Sequence, residues 1–362
     1  MSRIDINIKS EVETLRKVMV HTPGVEMNLL NSHNTKEFNF DFDKKTFSDN
    51  KDFLLWDDTI YLKGAIREHR EMCEVINTLS GGNVCVQFKE LYDQCMTPWD
   101  EKEIVANLLF TRDLAFSFGS TTVVSWNSKT ARNQENILTE SLFKSHPSLN
   151  ESKVIFFHEE HPDLSIEGGD VMIFNNETIL IGLSERTKKE SVQALLPYFL
   201  DEGFSNVVGV SLQKKRTFMH LDTVLTKIDE HDYLIYDSGD PVEYIKFTES
   251  YPNGENLSSQ NLSSLVKKFD ETATFFQCSQ SEQWTCGSNA LAVSPGKILL
   301  YERNEKTIEN LIQNGGYSGY TPTEIIDRKY SDNEKIVVKI SGAELSRGRG
   351  GARCMTMPLI RG

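Results

Sequence analysis

The chain has 362 residues, 38% of them hydrophobic and 25% charged, a composition that is typical of a globular protein. Its 53 acidic residues outnumber the 39 lysines and arginines, and the net charge of -14 argues against a nucleic-acid backbone as a partner. No apolar run reaches eighteen residues and the start lacks the apolar stretch of a signal peptide, so we expect no membrane span and no membrane partner.

The N-terminal part predicts a first structural unit. A strand-like run, "VMVH", begins at Val18, and a second run, "TIYL", follows after a long insertion. A helical pattern, "IREHREMCEVINTL", and another apolar run, "NVCVQF", come next. Strand, strand, helix and strand in this order indicate a ββαβ unit.

Four later stretches have the pattern of a hairpin, two apolar or alternating strands around a polar or glycine-containing turn. These are "LAFSFGSTTVVSW", "VMIFNNETILIGL", "VLTKIDEHDYLIYD" and "ALAVSPGKILLYE". A helical pattern follows three of them, whereas the third leads into the polar stretch "NGENLSSQNLSS". The hairpins begin near Leu114, Val171, Val224 and Ala290, at spacings of 57, 53 and 66 residues. The chain therefore predicts five similar ββαβ units in an α/β fold.

Polar loops precede these hairpins. "FTRD" occupies residues 110–113, "EGGD" 167–170, "HLDT" 220–223 and "CGSN" 286–289, while Cys354 stands just before the final run "MTMPLI". If the five units are arranged cyclically, equivalent loops meet at one end of the ring near its axis. A scaffold of this kind can assemble one site from loops that are far apart in the sequence.

The loops supply a thiol, an imidazole and several carboxylates. A cysteine thiol becomes a strong nucleophile when its pKa is lowered, and an imidazole can carry a proton either way near neutral pH. Carboxylates at the same site oppose thiolate formation unless the substrate is itself a cation that they hold. A guanidinium fits this requirement, because carboxylates match its planar fork of N–H donors and its central carbon is an electrophile.

Five stretches also carry a resemblance to a known family: "FTRD", "EGGD", "GLSERT", "HLDT" and "GGARCMTMPLIR". In this order, with "LRKVMVHTPG" near the start, they resemble the motifs of the arginine deiminase family, a branch of the guanidine-modifying amidinotransferase superfamily. The resemblance implies a five-bladed α/β propeller (pentein) of ββαβ units with a pseudo-five-fold arrangement. Since it covers nearly the whole chain, we expect residues 1–362 to form a single catalytic domain.

The resemblance implies roles for nine residues. Cys354 is the nucleophile, His220 is the general acid/base, and Glu167 is the carboxylate partner of His220. Asp113 and Asp222 hold the guanidinium group. Four further residues hold the amino-acid end of free arginine: Arg132, Arg186, Asn107 and Arg349.

The implied reaction hydrolyses L-arginine to L-citrulline and ammonia. Thiolate attack on the guanidinium carbon expels ammonia and leaves a covalent amidino-cysteine, which water activated by His220 then hydrolyses. No metal and no organic cofactor is implied, the partner is a small guanidinium substrate, and the family leaves room for a homo-oligomer. Six scattered cysteines without a CxxC pair or zinc-ligand spacing favour free thiols and a cytoplasmic location.

Simpler roles remain open for several of these residues. Cys354 can be a buried structural thiol and His220 a core histidine, while Asp170 can serve to make a turn before a strand. Arg132 and Arg186 each open a helical pattern, where solvated arginines are common. Related functions also remain open: amidino transfer to an amine, hydrolysis of agmatine or a methylated arginine, double hydrolysis to ornithine, and guanidine binding without catalysis.

Two features depart from the family pattern. Free-arginine deiminases usually carry a helical insertion just ahead of the "FTRD" loop. Here "KELYDQCMTPWDEKEIVAN" alone separates that loop from "NVCVQF", so we expect a domain without this insertion. In addition, Cys286 stands where many relatives have aspartate, which places a second thiol near the active face.

Overall fold

The computed structural model describes residues 3–95, 105–150 and 152–362. Within these ranges twenty strands form five sheets of three to five strands and one separate two-stranded hairpin. Helices alternate with the strands, so the predicted α/β fold is confirmed. The described part of the chain contains no helix that is long and apolar enough to cross a membrane.

The first sheet corrects the sequence prediction for the N-terminal unit. "TIYL" contains no strand. Strand β1 (Leu15–Val20) instead pairs antiparallel with the last strand of the chain, Met357–Arg361, and parallel with β4 (Cys85–Gln87). The hairpin of β2 (Phe38–Asp41) and β3 (Thr46–Asp49) lies in the long insertion. The elements of this part are β1 (Leu15–Val20), β2 (Phe38–Asp41), β3 (Thr46–Asp49), α1 (Leu62–Leu79), β4 (Cys85–Gln87) and α2 (Phe88–Tyr92).

All four predicted hairpins are present, and each begins within one residue of its predicted position. The second unit contains β5 (Ala115–Phe118), β6 (Thr121–Val124), α3 (Asn133–Ser145), β7 (Lys153–Phe156) and α4 (Phe157–Glu160). The third contains β8 (Val171–Asn175), β9 (Thr178–Leu183), α5 (Lys189–Asp201) and β10 (Asn206–Ser211). In both, the hairpin is antiparallel and the strand after the helix pairs in parallel with the second hairpin strand.

The last two units follow the same scheme with additions. The fourth contains β11 (Leu225–Lys227), β12 (Asp232–Ile235), β13 (Val242–Thr248), β14 (Tyr251–Ser259), α6 (Leu262–Val266), β15 (Thr274–Gln277) and α7 (Gln280–Trp284). Strands β13 and β14 extend the sheet of the third unit beyond β10. The fifth unit and the strand that returns to the first sheet are β16 (Leu291–Ser294), β17 (Lys297–Tyr301), α8 (Glu305–Gly315), β18 (Tyr317–Tyr320), α9 (Pro322–Ile326), β19 (Lys335–Ile340) and β20 (Met357–Arg361).

Buried apolar side chains join the five sheets in a closed succession. One cluster contains Met19 of the first sheet and Ala115 of the second. Three further clusters join the second sheet to the third, the third to the fourth and the fourth to the fifth. A last cluster contains Leu299 of the fifth sheet and Val18 of the first. Burial of apolar surface between successive sheets therefore stabilises the arrangement.

Because β20 completes the first sheet, its buried side chains should contribute strongly to stability. Replacing the fully buried Leu359 with alanine should lower the free energy of unfolding by about 2–5 kcal/mol. Ile60 of "TIYL" is half-buried outside any strand, so Ile60→Ala is the matched control and should cost clearly less. Chemical denaturation measures both values, and equal losses would contradict the structural importance of β20.

Candidate active site

Single 3-10 turns present the predicted polar loops next to one another. Thr111–Asp113, Gly168–Asp170 and Leu221–Thr223 each stand just before the first strand of a unit. The first turn contacts the second, and the second contacts the third. Cys354 lies shortly before β20 with its side chain buried. The fold therefore brings together loops that are far apart in the sequence.

Two glycines permit this close approach. A Cβ atom on Gly169 would lie 2.6 Å from Nδ1 of His220, and one on Gly351 would lie 2.6 Å from the side-chain oxygen of Asn289. Both distances are far below normal contact, so a side chain at either position would push the loops apart. Gly351 therefore accommodates a neighbouring loop of the protein.

His220 and Glu167 are hydrogen-bonded, with 2.7 Å between Nε2 and Oε2, and both side chains are buried. The other ring nitrogen, Nδ1, lies 3.7 Å from Oδ1 of Asp113. Burial lowers the pKa of His220, but Asp113, Glu167 and Asp170 outweigh burial and raise this pKa to about 10. Burial opposes ionisation of Glu167, yet Arg186 and the bond from His220 keep its pKa low. The pair is thus an imidazolium and a carboxylate at neutral pH.

The Cys354 thiol donates to Oδ2 of Asp222 across 3.7 Å. The backbone N–H of Cys354 donates to the side-chain oxygen of Asn289 at 3.3 Å. Burial raises the pKa of Cys354 well above its ordinary value, and the charges of Asp222 and Asp113 raise it further. The thiol is therefore protonated at neutral pH, as expected for a buried cysteine beside carboxylates.

Two buried arginines each hold one of the predicted guanidinium-binding aspartates. Nη1 of Arg132 donates to Oδ2 of Asp113 at 2.7 Å, and Nη1 of Arg353 donates to Oδ2 of Asp222 at 2.9 Å. The other oxygen of each aspartate, Oδ1, is buried and has no hydrogen-bond partner among the described residues. A buried acceptor without a donor is costly, so these two oxygens are poised to receive a cationic donor.

Two residues predicted to hold the amino-acid end of arginine are engaged by the protein itself. Besides Asp113, Arg132 donates to Glu135 at 2.6 Å and to the carbonyls of Asn107 and Phe110. The side-chain amide of Asn107 donates to the carbonyl of Leu54 at 2.9 Å. In this structure both side chains therefore support the walls of the site.

The other two residues are placed differently. Nη1 of Arg186 lies 3.6 Å from Glu167, and Arg186 also lines a cavity of about 300 Å³ beneath the long insertion. The guanidinium carbon of Arg349 lies 3.5 Å from the centre of the Trp284 ring. Its Nε and Nη1 are buried without a hydrogen-bond partner in the described part of the chain. Both arginines thus lie beside carboxylates of the protein, Arg186 beside Glu167 and Glu185, and Arg349 beside Asp57.

The oxygen and nitrogen atoms of Asp113, Glu167 and His220 also form a group that could hold a metal ion, within 4.8 Å of one another. However, burial lowers the pKa of His220, and Asp113 and the other acidic groups outweigh burial and raise it to about 10. The imidazole is therefore protonated, and a protonated imidazole has no free lone pair for a metal. Proton transfer fits this group better than metal binding.

Sequence analysis missed three polar residues at the site. Glu135 stands three residues after Arg132, so helical spacing could have indicated their ion pair. Asn289 belongs to the noted "CGSN" loop, but nothing local indicates its contact with Cys354. Glu11 pairs with Arg353, which is 342 residues further along the chain, and no sequence pattern reports such a distance.

An α/β fold with a cysteine, a histidine and paired carboxylates at one site fits the class of guanidine-modifying enzymes, and the family comparison is specific. The family profile described as "Arginine deiminase" matches residues 101–361. The chain belongs to the arginine deiminase family.

Curated relatives agree along most of the chain. The arginine deiminase of Borrelia recurrentis is 28% identical, and the alignment covers 98% of each chain. That of Mycoplasma capricolum is 28% identical over 98% of this chain and 97% of its own. That of Clostridium perfringens is 32% identical over 75% of this chain and 66% of its own.

Solved structures share the fold. The N-terminal domain of ArgZ, described as an arginine dihydrolase from cyanobacteria, superposes with a TM-score of 0.60 at 14% identity, covering 96% of this chain and 98% of that one. A dimethylarginine dimethylaminohydrolase superposes with a TM-score of 0.56 at 14% identity, covering 95% and 99%. At these identities the likeness concerns the α/β fold.

The raised pKa of His220 predicts a pH-dependent contribution to stability. This pKa is about 10 in the folded protein, since Asp113 and the other acidic groups outweigh burial, and about 6.5 in an unfolded chain. The folded state therefore binds the proton more tightly, and the stabilisation is complete below pH 6.5 and lost as the pH rises towards 10. The stability gap between wild type and His220→Gln should shrink over this range. Denaturation at about pH 6, 8 and 10 measures the gap, and a constant gap would contradict a protonated His220.

Proposed function

We propose that this protein hydrolyses L-arginine to L-citrulline and ammonia through a covalent amidino-cysteine on Cys354. The observation that carries the proposal is that the buried Oδ1 atoms of Asp113 and Asp222 accept no hydrogen bond from the described residues, and that Asp222 also accepts the Cys354 thiol. A guanidinium group offers the N–H donors and the positive charge that both oxygens need. The names of the curated relatives support the same reaction.

In the first half-reaction the sulfur of Cys354 forms a bond to the guanidinium carbon, and the thiol proton passes to bulk water. His220, protonated in the free protein, donates a proton to the leaving nitrogen, and the C–N bond breaks to release ammonia. Glu167 holds the imidazole in place through its 2.7 Å bond to Nε2, which leaves Nδ1 for the proton transfer.

In the second half-reaction the neutral His220 takes a proton from water while the oxygen bonds to the amidino carbon. The C–S bond then breaks as the remaining proton of the added hydroxyl passes to sulfur, which returns the thiol of Cys354 and releases citrulline. At the other end of the substrate, Arg186 and Arg349 supply charge for the carboxylate, and Arg132 and Asn107 support the wall. These assignments complete the nine proposed site residues.

The same proposal extends to the architecture. We infer a single five-bladed propeller over residues 1–362, supported by the closed succession of apolar clusters between the five sheets. Two alignments with relatives run over 444 and 415 positions, more than this chain contains, which supports the loss of a family insertion. Its expected place falls largely on residues 96–104, outside the described residues. The six free cysteines support a cytoplasmic location.

The test is to incubate the protein with L-arginine and to identify every product by mass spectrometry. Citrulline and ammonia are expected from wild type, and Cys354→Ser should reduce turnover by several orders of magnitude because a hydroxyl is a far weaker nucleophile. Cys278→Ser, which alters another buried cysteine, is the matched control and should retain turnover. Ornithine as the final product, or near-normal citrulline release by Cys354→Ser, would overturn the proposal.

A bound cation should activate the thiol. Burial raises the pKa of Cys354 most, and the carboxylates of Asp222 and Asp113 raise it further. A guanidinium between these two carboxylates neutralises them, so the Cys354 thiol should titrate at lower pH. Thiolate absorbance is followed against pH with and without a non-reactive guanidinium analogue, with Cys354→Ser as the blank. A full thiolate signal near pH 6 without ligand would instead indicate a preformed ion pair between thiolate and imidazolium.

A further inference from the structure

Two buried Glu–Arg–Asp triads with matching geometry lie behind the site. In each triad Nε of the arginine donates to the outer glutamate, at 2.6 and 2.8 Å. Nη1 of the same arginine donates to Oδ2 of the inner aspartate, at 2.7 and 2.9 Å. The two triads are made of these buried residues: Glu135, Arg132 and Asp113 in the first, and Glu11, Arg353 and Asp222 in the second.

The arginine of each triad cannot turn freely. Nη2 of Arg132 donates to the carbonyls of Asn107 and Phe110, and Nη2 of Arg353 donates to the carbonyl of Val171 at 2.8 Å. A planar guanidinium held on three sides fixes the direction of every N–H group. Each arginine therefore orients its aspartate so that Oδ2 is occupied and Oδ1, which accepts no hydrogen bond within the described ranges, is left for another donor.

The outer glutamates decide the charge of the triads. An aspartate paired with an arginine alone is neutral as a pair and attracts a further cation weakly. With the glutamate included, the three side chains of each triad sum to one negative charge, which Arg112 offsets in the second triad because its Nη2 lies 3.9 Å from Glu11. Buried charges act over longer distances than charges in water. Each glutamate therefore adds a negative charge behind its aspartate, which favours a cation that binds between Asp113 and Asp222.

We propose that Glu11 and Glu135 are positioning residues that keep the Asp113 and Asp222 carboxylates attractive to a cationic guanidinium and indifferent to a neutral ureido group of similar shape. The inference rests on the proposed function, in which arginine is the cation and citrulline is the neutral product. Such a device retains the substrate and releases the product without any change in the contacts of the amino-acid end.

The experiment compares the binding of L-arginine and L-citrulline by calorimetry in the Cys354→Ser background, where no turnover interferes. Glu135→Gln should weaken arginine binding roughly tenfold, the effect of one buried charge at this range, and leave citrulline binding within about twofold. Glu135→Asp, which keeps the charge, should recover most of the arginine affinity. A purely structural role would weaken both ligands alike, and that outcome, or unchanged arginine binding, overturns the inference.

Glu11→Gln is the second variant and should show the same selective loss. Glu11 also lies 3.9 Å from Arg112, so its replacement costs more stability than that of Glu135. Glu202→Gln is the matched control, since Glu202 accepts hydrogen bonds from Ser120 and Thr121 at the far end of β5 and β6. It should change neither affinity.

Failure of this inference is distinguishable from failure of the proposed function. A wild type that makes no citrulline overturns the reaction but leaves the comparison of the two ligands intact. A Cys354→Ser parent that does not prefer arginine to citrulline overturns the inference even where the wild type is active.

Discussion

The ion pair between Arg353 and Asp222 is the contact on which the rest of the site depends. Arg353 is fully buried and reaches Glu11 near the N-terminus, the carbonyl of Val171 at the start of β8, and Asp222 in the fourth unit. A buried guanidinium is tolerated only when its donors are paired, so these segments must come together around it. Cys354 directly follows Arg353 in the chain, so the segments that surround Arg353 also determine the position of Cys354.

The carboxylates around Cys354 favour a positively charged ligand. Asp113 and Asp222 each give one oxygen to a buried arginine and keep the other free. In that state the thiol of Cys354 stays protonated, because burial and then the carboxylates raise its pKa. His220 stays charged, because the carboxylates outweigh burial and raise its pKa. The thiol of the free protein is therefore protonated, and in the proposed reaction a bound guanidinium lowers the pKa of Cys354.

The local strand pattern located the hairpins of four units almost to the residue, because alternation and apolar runs are properties of a few neighbouring residues. The same reasoning was wrong about "TIYL", where Leu62 already begins α1. Its place beside β1 is taken by β20, from the other end of the chain. A pattern over a dozen residues does not indicate which of two distant segments pairs with the edge of β1. It also does not indicate that β13 and β14 join the sheet of the third unit.

By itself, the sequence determined the α/β class, the repeated units and, through an ordered set of motifs, the family and the residue types available for chemistry. The tertiary structure alone decided which partners those residues have. In the structure the side chains of Arg132 and Asn107 donate hydrogen bonds to other groups of the protein. Glu135 and Glu11 bind the arginines that hold Asp113 and Asp222. The reason is physical: strand and helix patterns arise from local backbone geometry, whereas the pairing of a buried charge depends on every segment that packs against it, here across 342 residues.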